Sequence, residues 1–413
     1  MHKFKIIISS ILLLTIVFYI TPCTFAISDS YIWSTVDLTV PTTTQLNEDE
    51  NKNDNKLSLE SGSAILIEQS TGQVLYSYNA HEQLRPASVT KVMSLLLIME
   101  QIDNGKLSLD DQISCSEHAA AMGGSQIWLD QTETLSVSDM LKAICVVSAN
   151  DCVVAMAEHI AGSEEAFVEM MNKKAKELGM NDTCFKNCHG IDEDGHVTSS
   201  YDISLMSREL LQKHPKIKDY TTIWMDSLRD GKSELVNTNK LIRNYKGATG
   251  LKTGSTSLAL FNLSASATRD NLSLIAVIMK APSSAKRFSE AEKLLNYGFN
   301  NFSFKQFAKK GDKLKSVNVN KGVNKSVDAV FEDDCGVLVE KGNDKNISQE
   351  VVLNDNISAP IVKGQKLGEV KYCADNKTLF VSNIIAQDNV DKLNILTMCK
   401  YVYNSWFTLL RIV

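Results

Sequence analysis

The spacing of apolar residues changes several times along the chain, and each change marks an element or a boundary. A mainly apolar run, interrupted only by Ser9, Ser10 and Thr15, covers residues 6–20. Residues 27–56 are rich in Ser, Thr, Asn, Asp and Glu and end in the polar run 47–56. Such a stretch cannot build a core and reads as a disordered spacer. The runs 64–67 and 74–76 read as strands joined in a hairpin across Thr71-Gly72. From 88 to 102 the chain is almost continuously apolar, which predicts a buried helix. Helical spacing returns over 137–160 and 163–178, with Gly162 and Gly179 as stops. Residues 259–268 and 272–279 are strand-like, turning at Arg269-Asp270-Asn271. This order predicts helices packed around a mainly antiparallel sheet over residues 57–303.

Beyond residue 304 the pattern shortens. Strand-like stretches recur at 316–319, 327–331, 336–339, 351–353, 368–372 and 379–381, separated by Gly, Asn, Asp and Lys. They predict a small all-β sandwich over 304–390. Over 391–413, Ile395, Met398, Val402, Trp406, Leu409 and Val413 fall on one helical face, with Lys400, Asn404, Thr408 and Arg411 on the other. This reads as an amphipathic helix lying in a membrane interface. A helix docked on the protein's own surface is the alternative. Lys400 and Arg411 inside the segment argue against a spanning helix.

Composition adds compartment and excludes some partners. The chain has 413 residues, 44% hydrophobic and 22% charged, as in a folded protein of two or three domains. A net charge of -6 gives no basic face for nucleic acid. Lys3 and Lys5, the apolar run, and Thr24-Phe25-Ala26 make residues 1–26 a secretory signal. An uncleaved membrane anchor is the alternative, and either reading puts the bulk of the chain outside the cytoplasm. The nine cysteines show no disulfide framework. Cys145 and Cys152 stack two helical turns apart, too far to bridge. Cys184 and Cys188 lack a second pair of ligands nearby for zinc. Buried free thiols are the expectation.

Three short motifs carry candidate chemistry: Ser88-Val89-Thr90-Lys91, Ser148-Ala149-Asn150 and Lys252-Thr253-Gly254. Together they offer a hydroxyl nucleophile, two ammonium groups, a second hydroxyl and an amide. Each is weak alone. Ser-x-x-Lys occurs again at Ser283–Lys286, in a turn beside Pro282, and that copy reads as surface. The first copy opens an apolar helix, which puts Lys91 one turn from Ser88 on the same face. Burial and a second cation would lower the lysine pKa, so that a neutral amine takes the serine proton. Ser148 and Asn150 fall between two helical stretches, where N-cap residues are also common. An extended Lys-Thr-Gly suits a sheet edge onto which a peptide adds as a strand.

Order and interval raise the odds. Ser148 follows Ser88 by 148 − 88 = 60 residues, and Lys252 follows it by 252 − 88 = 164. With these intervals the chain resembles the serine penicillin-recognising superfamily of DD-peptidases and class A β-lactamases. Residues 178–196, Pro86-Ala87, and Gly162-Ser163-Glu164-Glu165-Ala166-Phe167 resemble low-molecular-mass D-alanyl-D-alanine carboxypeptidases. The loop 178–196 holds no Glu followed by Asn three or four residues on, the pair that positions a deacylating water in class A β-lactamases. Cys188 stands where many relatives have Pro, and Ser255 where some have His. The resemblance implies an α/β (α+β) β-lactamase/transpeptidase-like domain with helices around an antiparallel sheet, followed by the small β-sandwich.

The resemblance further implies Ser88 as acylated nucleophile, Lys91 as general base and Ser148 as proton relay. Asn150 would bind the substrate amide, and Lys252, Thr253, Gly254 and Ser255 the D-alanine carboxylate end. The N–H groups of Ser88 and Ser255 would form the oxyanion hole. His196 is assigned to loop support. The implied substrates are peptidoglycan stem peptides, with β-lactam antibiotics as inhibitors and the outer face of the cell membrane as the C-terminal helix's partner. No metal or organic cofactor is implied. The rival readings are a β-lactamase, a penicillin-sensing binding module and a cross-link endopeptidase.

Overall fold

The structure, a computed structural model, describes residues 56–342, 347–374, 377–395 and 398. The expected signal (1–26), all but the last residue of the spacer (27–56) and most of the C-terminal helix (391–413) lie outside the described residues.

Strands β1 (Ser63–Glu68) and β2 (Val74–Tyr78) form the expected hairpin. Two short hairpins follow, β3 (Gln112–Ser114) with β4 (Thr134–Ser136) and β5 (Met225–Leu228) with β6 (Ser233–Val236). Their few, mostly polar residues gave no strand signal. Then come β7 (Ala248–Thr256), β8 (Leu260–Arg269) and β9 (Leu272–Ala281). The main sheet runs β2-β1-β9-β8-β7, antiparallel throughout, with β7 at one edge.

Every residue of β1 is buried, because the sheet is covered on both faces. The two-residue period divides its side chains. Ile65 and Ile67 join Ile275, Val277 and Met279 of β9 in a core shared with the central helices. Ala64 and Leu66 join Leu274, Ala276 and Ile278 against a C-terminal helix.

The helices longer than one turn are α1 (Lys91–Asp103), α2 (Val137–Val146), α3 (Asn150–Ala161), α4 (Glu164–Glu177), α5 (Ser200–Lys213) and α6 (Ser284–Asn301). In α1, residues 91–99 are all buried. The helix is surrounded, which explains its continuous apolar run; each large apolar side chain there contributes about 1.5–3 kcal/mol on burial. The stretch 137–160 is two helices, not one. Ser148 has φ of 68° and cannot continue a right-handed helix. The carbonyl of Val146 that this break frees accepts the N–H of Thr238.

The second Ser-x-x-Lys copy does open a helix, contrary to the expectation of a plain turn. Ser283 caps α6, its hydroxyl accepting the N–H of Lys286. Lys286 nevertheless lies at the surface, paired with Glu60.

Past α6, β10 (Phe302–Ala308) pairs with β13 (Cys335–Glu340). The strands β11 (Lys313–Asn318), β12 (Ser326–Phe331), β14 (Ser348–Leu353), β15 (Lys366–Ala374) and β16 (Lys377–Ala386) form an antiparallel sheet of order β11-β12-β16-β15-β14. Val327, Phe331, Val337, Val370 and Ile384 make its core. This is the all-β unit expected from the short strand pattern. All seven described cysteines are free thiols, five of them buried. Among the described residues no helix is long and apolar enough to cross a membrane.

Candidate active site

Ser88 lies in a 3-10 turn, Ala87–Thr90, that leads directly into α1. Lys91 is the first residue of α1, so the two side chains share a face. Lys91 Nζ donates to Ser88 Oγ (3.0 Å), Asn150 Oδ1 (2.6 Å) and the His189 carbonyl (2.7 Å). Three hydrogens meet three acceptors. Lys91 is fully buried. Burial first, and then the charge of Lys252, hold its pKa well below the ordinary 10.5. A lysine that gives up its proton here turns a lone pair toward the Ser88 hydroxyl.

Asn150 opens α3. Its Nδ2 donates to the Gly123 carbonyl (2.6 Å) and its N–H to that of Ser125 (2.7 Å). Ser148, two residues before, is 4% exposed, and its Oγ has no hydrogen-bond partner among the described residues. A buried hydroxyl without a partner, on a backbone at positive φ, is a costly arrangement of the kind found at functional sites.

Lys252 enters from β7. It is 1% exposed, and its Nζ donates to the Thr253 carbonyl (3.0 Å). Burial lowers its pKa to about 7, with Arg287 adding to the fall and Cys145 opposing it. Thr253 Oγ1 shares a hydrogen bond with Thr238 Oγ1 (2.8 Å). Gly254 is packed against the turn that carries Ser88. A Cβ there would lie 2.9 Å from the Pro86 carbonyl oxygen and from the backbone nitrogens of Ser88 and Val89. Only glycine allows β7 to approach so closely. Ser255, next in the strand, is exposed.

The loop 184–197 forms the site's floor. His196 Nδ1 accepts the Lys186 N–H (3.1 Å), so its proton sits on Nε2 and is donated to Thr90 Oγ1 (2.9 Å). Thr90 in turn donates to the Ala87 carbonyl (2.8 Å). Burial lowers the His196 pKa to about 4, which keeps the ring neutral. At position 188 the N–H, which a proline would lack, donates to Glu164 Oε1 (2.9 Å). The Cys188 carbonyl accepts from Ser94 Oγ (2.6 Å). The loop is thus fixed without the proline.

Residues from all three motifs therefore meet around Ser88 and Lys91. Ser88, Lys91 and Asn150 are directly bonded, Lys252 acts on Lys91 through its charge, and Gly254 touches the Ser88 backbone. Ser148 makes no direct bond. Sequence reasoning missed Thr238, the His189 carbonyl, and a clamp of Asp151 and Arg229 on the loop before β4. None carries a local signal, since each acts on a partner distant in sequence.

The family model described as D-alanyl-D-alanine carboxypeptidase matches residues 49–283. The chain belongs to the D-alanyl-D-alanine carboxypeptidase family. A second model, the C-terminal domain of penicillin-binding protein 5, matches residues 302–392. Among curated carboxypeptidases, DacF of Bacillus subtilis (strain 168) is 43% identical over 361 residues, 86% of this chain and 92% of its own. Penicillin-binding protein 5 of Haemophilus influenzae superposes with a TM-score of 0.68 at 30% identity, covering 81% of this chain and 98% of that one. Penicillin-binding protein D2 of Listeria monocytogenes, solved in its ampicillin-bound form, gives a TM-score of 0.54 at 31% identity over 59% of this chain and 99% of that one. As a member of this carboxypeptidase family, the chain is a serine-type hydrolase.

Proposed function

We propose that the chain removes the terminal D-alanine from peptidoglycan stem pentapeptides through an acyl-enzyme on Ser88. The observation that carries this reading is the buried, fully bonded Lys91 Nζ, 3.0 Å from Ser88 Oγ. Lys91 takes the hydroxyl proton as Ser88 Oγ bonds to the scissile carbonyl carbon. The resulting oxyanion is received by the N–H groups of Ser88 and Ser255. Ser148 passes a proton to the departing D-alanine amine, and water then hydrolyses the ester. Asn150 binds the substrate amide. Lys252, Thr253, Gly254 and Ser255 hold the terminal carboxylate, and β-lactams acylate the same serine.

The test uses a D-Ala-D-Ala peptide and a fluorescent penicillin on wild type and Ser88→Ala. Wild type releases D-alanine and retains label, and the variant does neither. A wild type that does neither refutes the activity; a variant that still labels refutes the nucleophile.

Lys252 predicts a pH dependence. Its charge is lost as pH rises through about 7, so kcat/KM for a carboxylate-terminated peptide falls above that pH. Deprotonation of Lys91, whose pKa burial and the Lys252 charge hold down, acts in the opposite sense, since the base works as the neutral amine. Lys252→Arg keeps the charge and carries the fall to higher pH. An unmoved descending limb in that variant assigns it to another group.

We read residues 1–26 as an export signal, 27–56 as a spacer, 57–303 as the catalytic domain and 304–390 as a β-sandwich. Residues 391–413 are read as a helix that holds the enzyme at the outer face of the cell membrane. The family match to 392 supports the β domain, and the pairing of residues 391–393 with Lys321–Val323 moves the start of the helix past 393, where exposed Ile395 and Met398 stand.

A further inference from the structure

The loop from residue 121 to 133 lies outside all three motifs, yet it is tied to the second of them. Its carbonyls at Gly123 and Ser125 take both amides of Asn150. One oxygen of Asp151, the next residue, accepts the N–H groups of Ile127 (3.0 Å) and Leu129 (3.1 Å). From the other side Arg229 donates to the carbonyls of Ile127 (2.9 Å) and Trp128 (3.2 Å). Arg229 is itself held by both oxygens of Glu133 (2.7 and 2.9 Å).

These four bonds converge on Trp128. Its φ is 55°, a left-handed conformation that a bulky residue adopts only when its surroundings impose it. Ile127 and Leu129 are 5% and 3% exposed, whereas Trp128 between them is 74% exposed. Turned to the orientation that satisfies both of its ends, the Gln126 amide donates to the Met122 carbonyl (2.7 Å) and accepts the indole N–H (3.3 Å). The polar edge of the ring is therefore satisfied and its apolar face is left open. Two more exposed apolar side chains stand near site residues: Ile191, beside Gly190, and Leu258, past Ser255. A single exposed apolar residue is ordinary. One held outward by a strained backbone and a double clamp is not explained by stability, since relaxing the strain would only help the fold.

We propose that Trp128 is a specificity-determining residue that packs on the aliphatic side chains of the stem-peptide residues preceding D-Ala-D-Ala. This rests on the function proposed above. Asn150 binds the substrate amide upstream of the scissile bond, so the loop hung on Asn150 borders that same upstream segment. The indole supplies a rigid apolar face there at little entropic cost. A substrate cut down to the two terminal residues cannot reach it.

The experiment compares wild type, Trp128→Ala and Trp128→Phe as full chains on a stem pentapeptide and on acetyl-D-Ala-D-Ala. Labelling of Ser88 by a fluorescent penicillin is followed in parallel. Trp128→Ala lowers kcat/KM for the pentapeptide about tenfold, mainly through KM. The short substrate and the labelling rate stay within about twofold of wild type, and Trp128→Phe restores most of the loss. Equal losses on both substrates mean that Trp128 only supports Asn150, and overturn the proposal. So does an unchanged pentapeptide rate. A wild type that releases D-alanine from neither substrate overturns the carboxypeptidase reading, and this proposal with it.

Discussion

Lys91→Met is expected to slow acylation of Ser88 by about a thousandfold while the protein remains folded. Methionine follows the lysine chain up to Cε, one atom short of Nζ, and fits an apolar surrounding. It removes a cation from a site with no exposed surface, and with it a large desolvation cost. Two acceptors, Asn150 Oδ1 and the His189 carbonyl, lose their donor, a penalty of about 1–3 kcal/mol each that offsets that gain. Stability therefore changes little, but no group remains to take the serine proton. Rapid-mixing measurements of penicillin labelling read the rate, and thermal unfolding reads the fold. A variant that labels within tenfold of wild type would remove Lys91 from the role of base. Lys91→Arg sharpens the test, because a guanidinium stays protonated at any accessible pH. Adding Lys91→Met to Ser88→Ala should cost nothing further, since the two residues act as one unit.

Gly190→Ala is the second large effect. The Gly190 backbone has φ of 93°, and an added Cβ would fall 1.9 Å from the Ala87 carbonyl oxygen and 2.9 Å from the Ser88 nitrogen. Those are backbone atoms, which no rotamer change can move aside. The collision pushes either the loop or the turn that carries Ser88. We expect a loss of about 3 kcal/mol in denaturant unfolding, and about a hundredfold slower acylation from a nucleophile displaced by an ångström. Gly105→Ala is the control. Its φ is 70°, and nothing lies within 4 Å of the added atom. That variant bears only the left-handed strain, about 1–2 kcal/mol, and keeps its acylation rate. If Gly190→Ala behaves like Gly105→Ala, the close approach of loop and nucleophile is not needed.

Much of this was legible in the sequence where the signal is local. The apolar run after Ser88, the strands on either side of Arg269-Asp270-Asn271 and the short strands past residue 304 follow from periodicity alone. Seven of the eight candidate residues stand in three motifs of one order, Ser255 came with the resemblance, and the structure joins Ser88, Lys91, Asn150 and Gly254 by direct contact. What stayed hidden is long-range. Thr238 reaches Thr253 from a polar segment with no pattern of its own. Arg229 grips the loop at Trp128 from 101 residues away. The break at Ser148 was read from its motif, between two helical stretches, but its positive φ left no mark on the apolar spacing at either side. Ser283 shows the converse: a correct motif, even at a helix start, without the second cation and the burial that give Lys91 its chemistry.

The packing of Gly254 against Ser88 bears on how this enzyme can escape inhibition. Gly254 meets backbone there, and on the proposed function the oxyanion donors are likewise main-chain amides, those of Ser88 and Ser255. No exchange of side chain deletes an amide hydrogen, except to proline, which would also break the strand. Mutation can alter the distance between the two segments, the rate of acylation, or the loops around the rim. It cannot take away the donors themselves. A drug that spends its affinity on those donors leaves the chain few single substitutions that weaken the drug and spare the substrate.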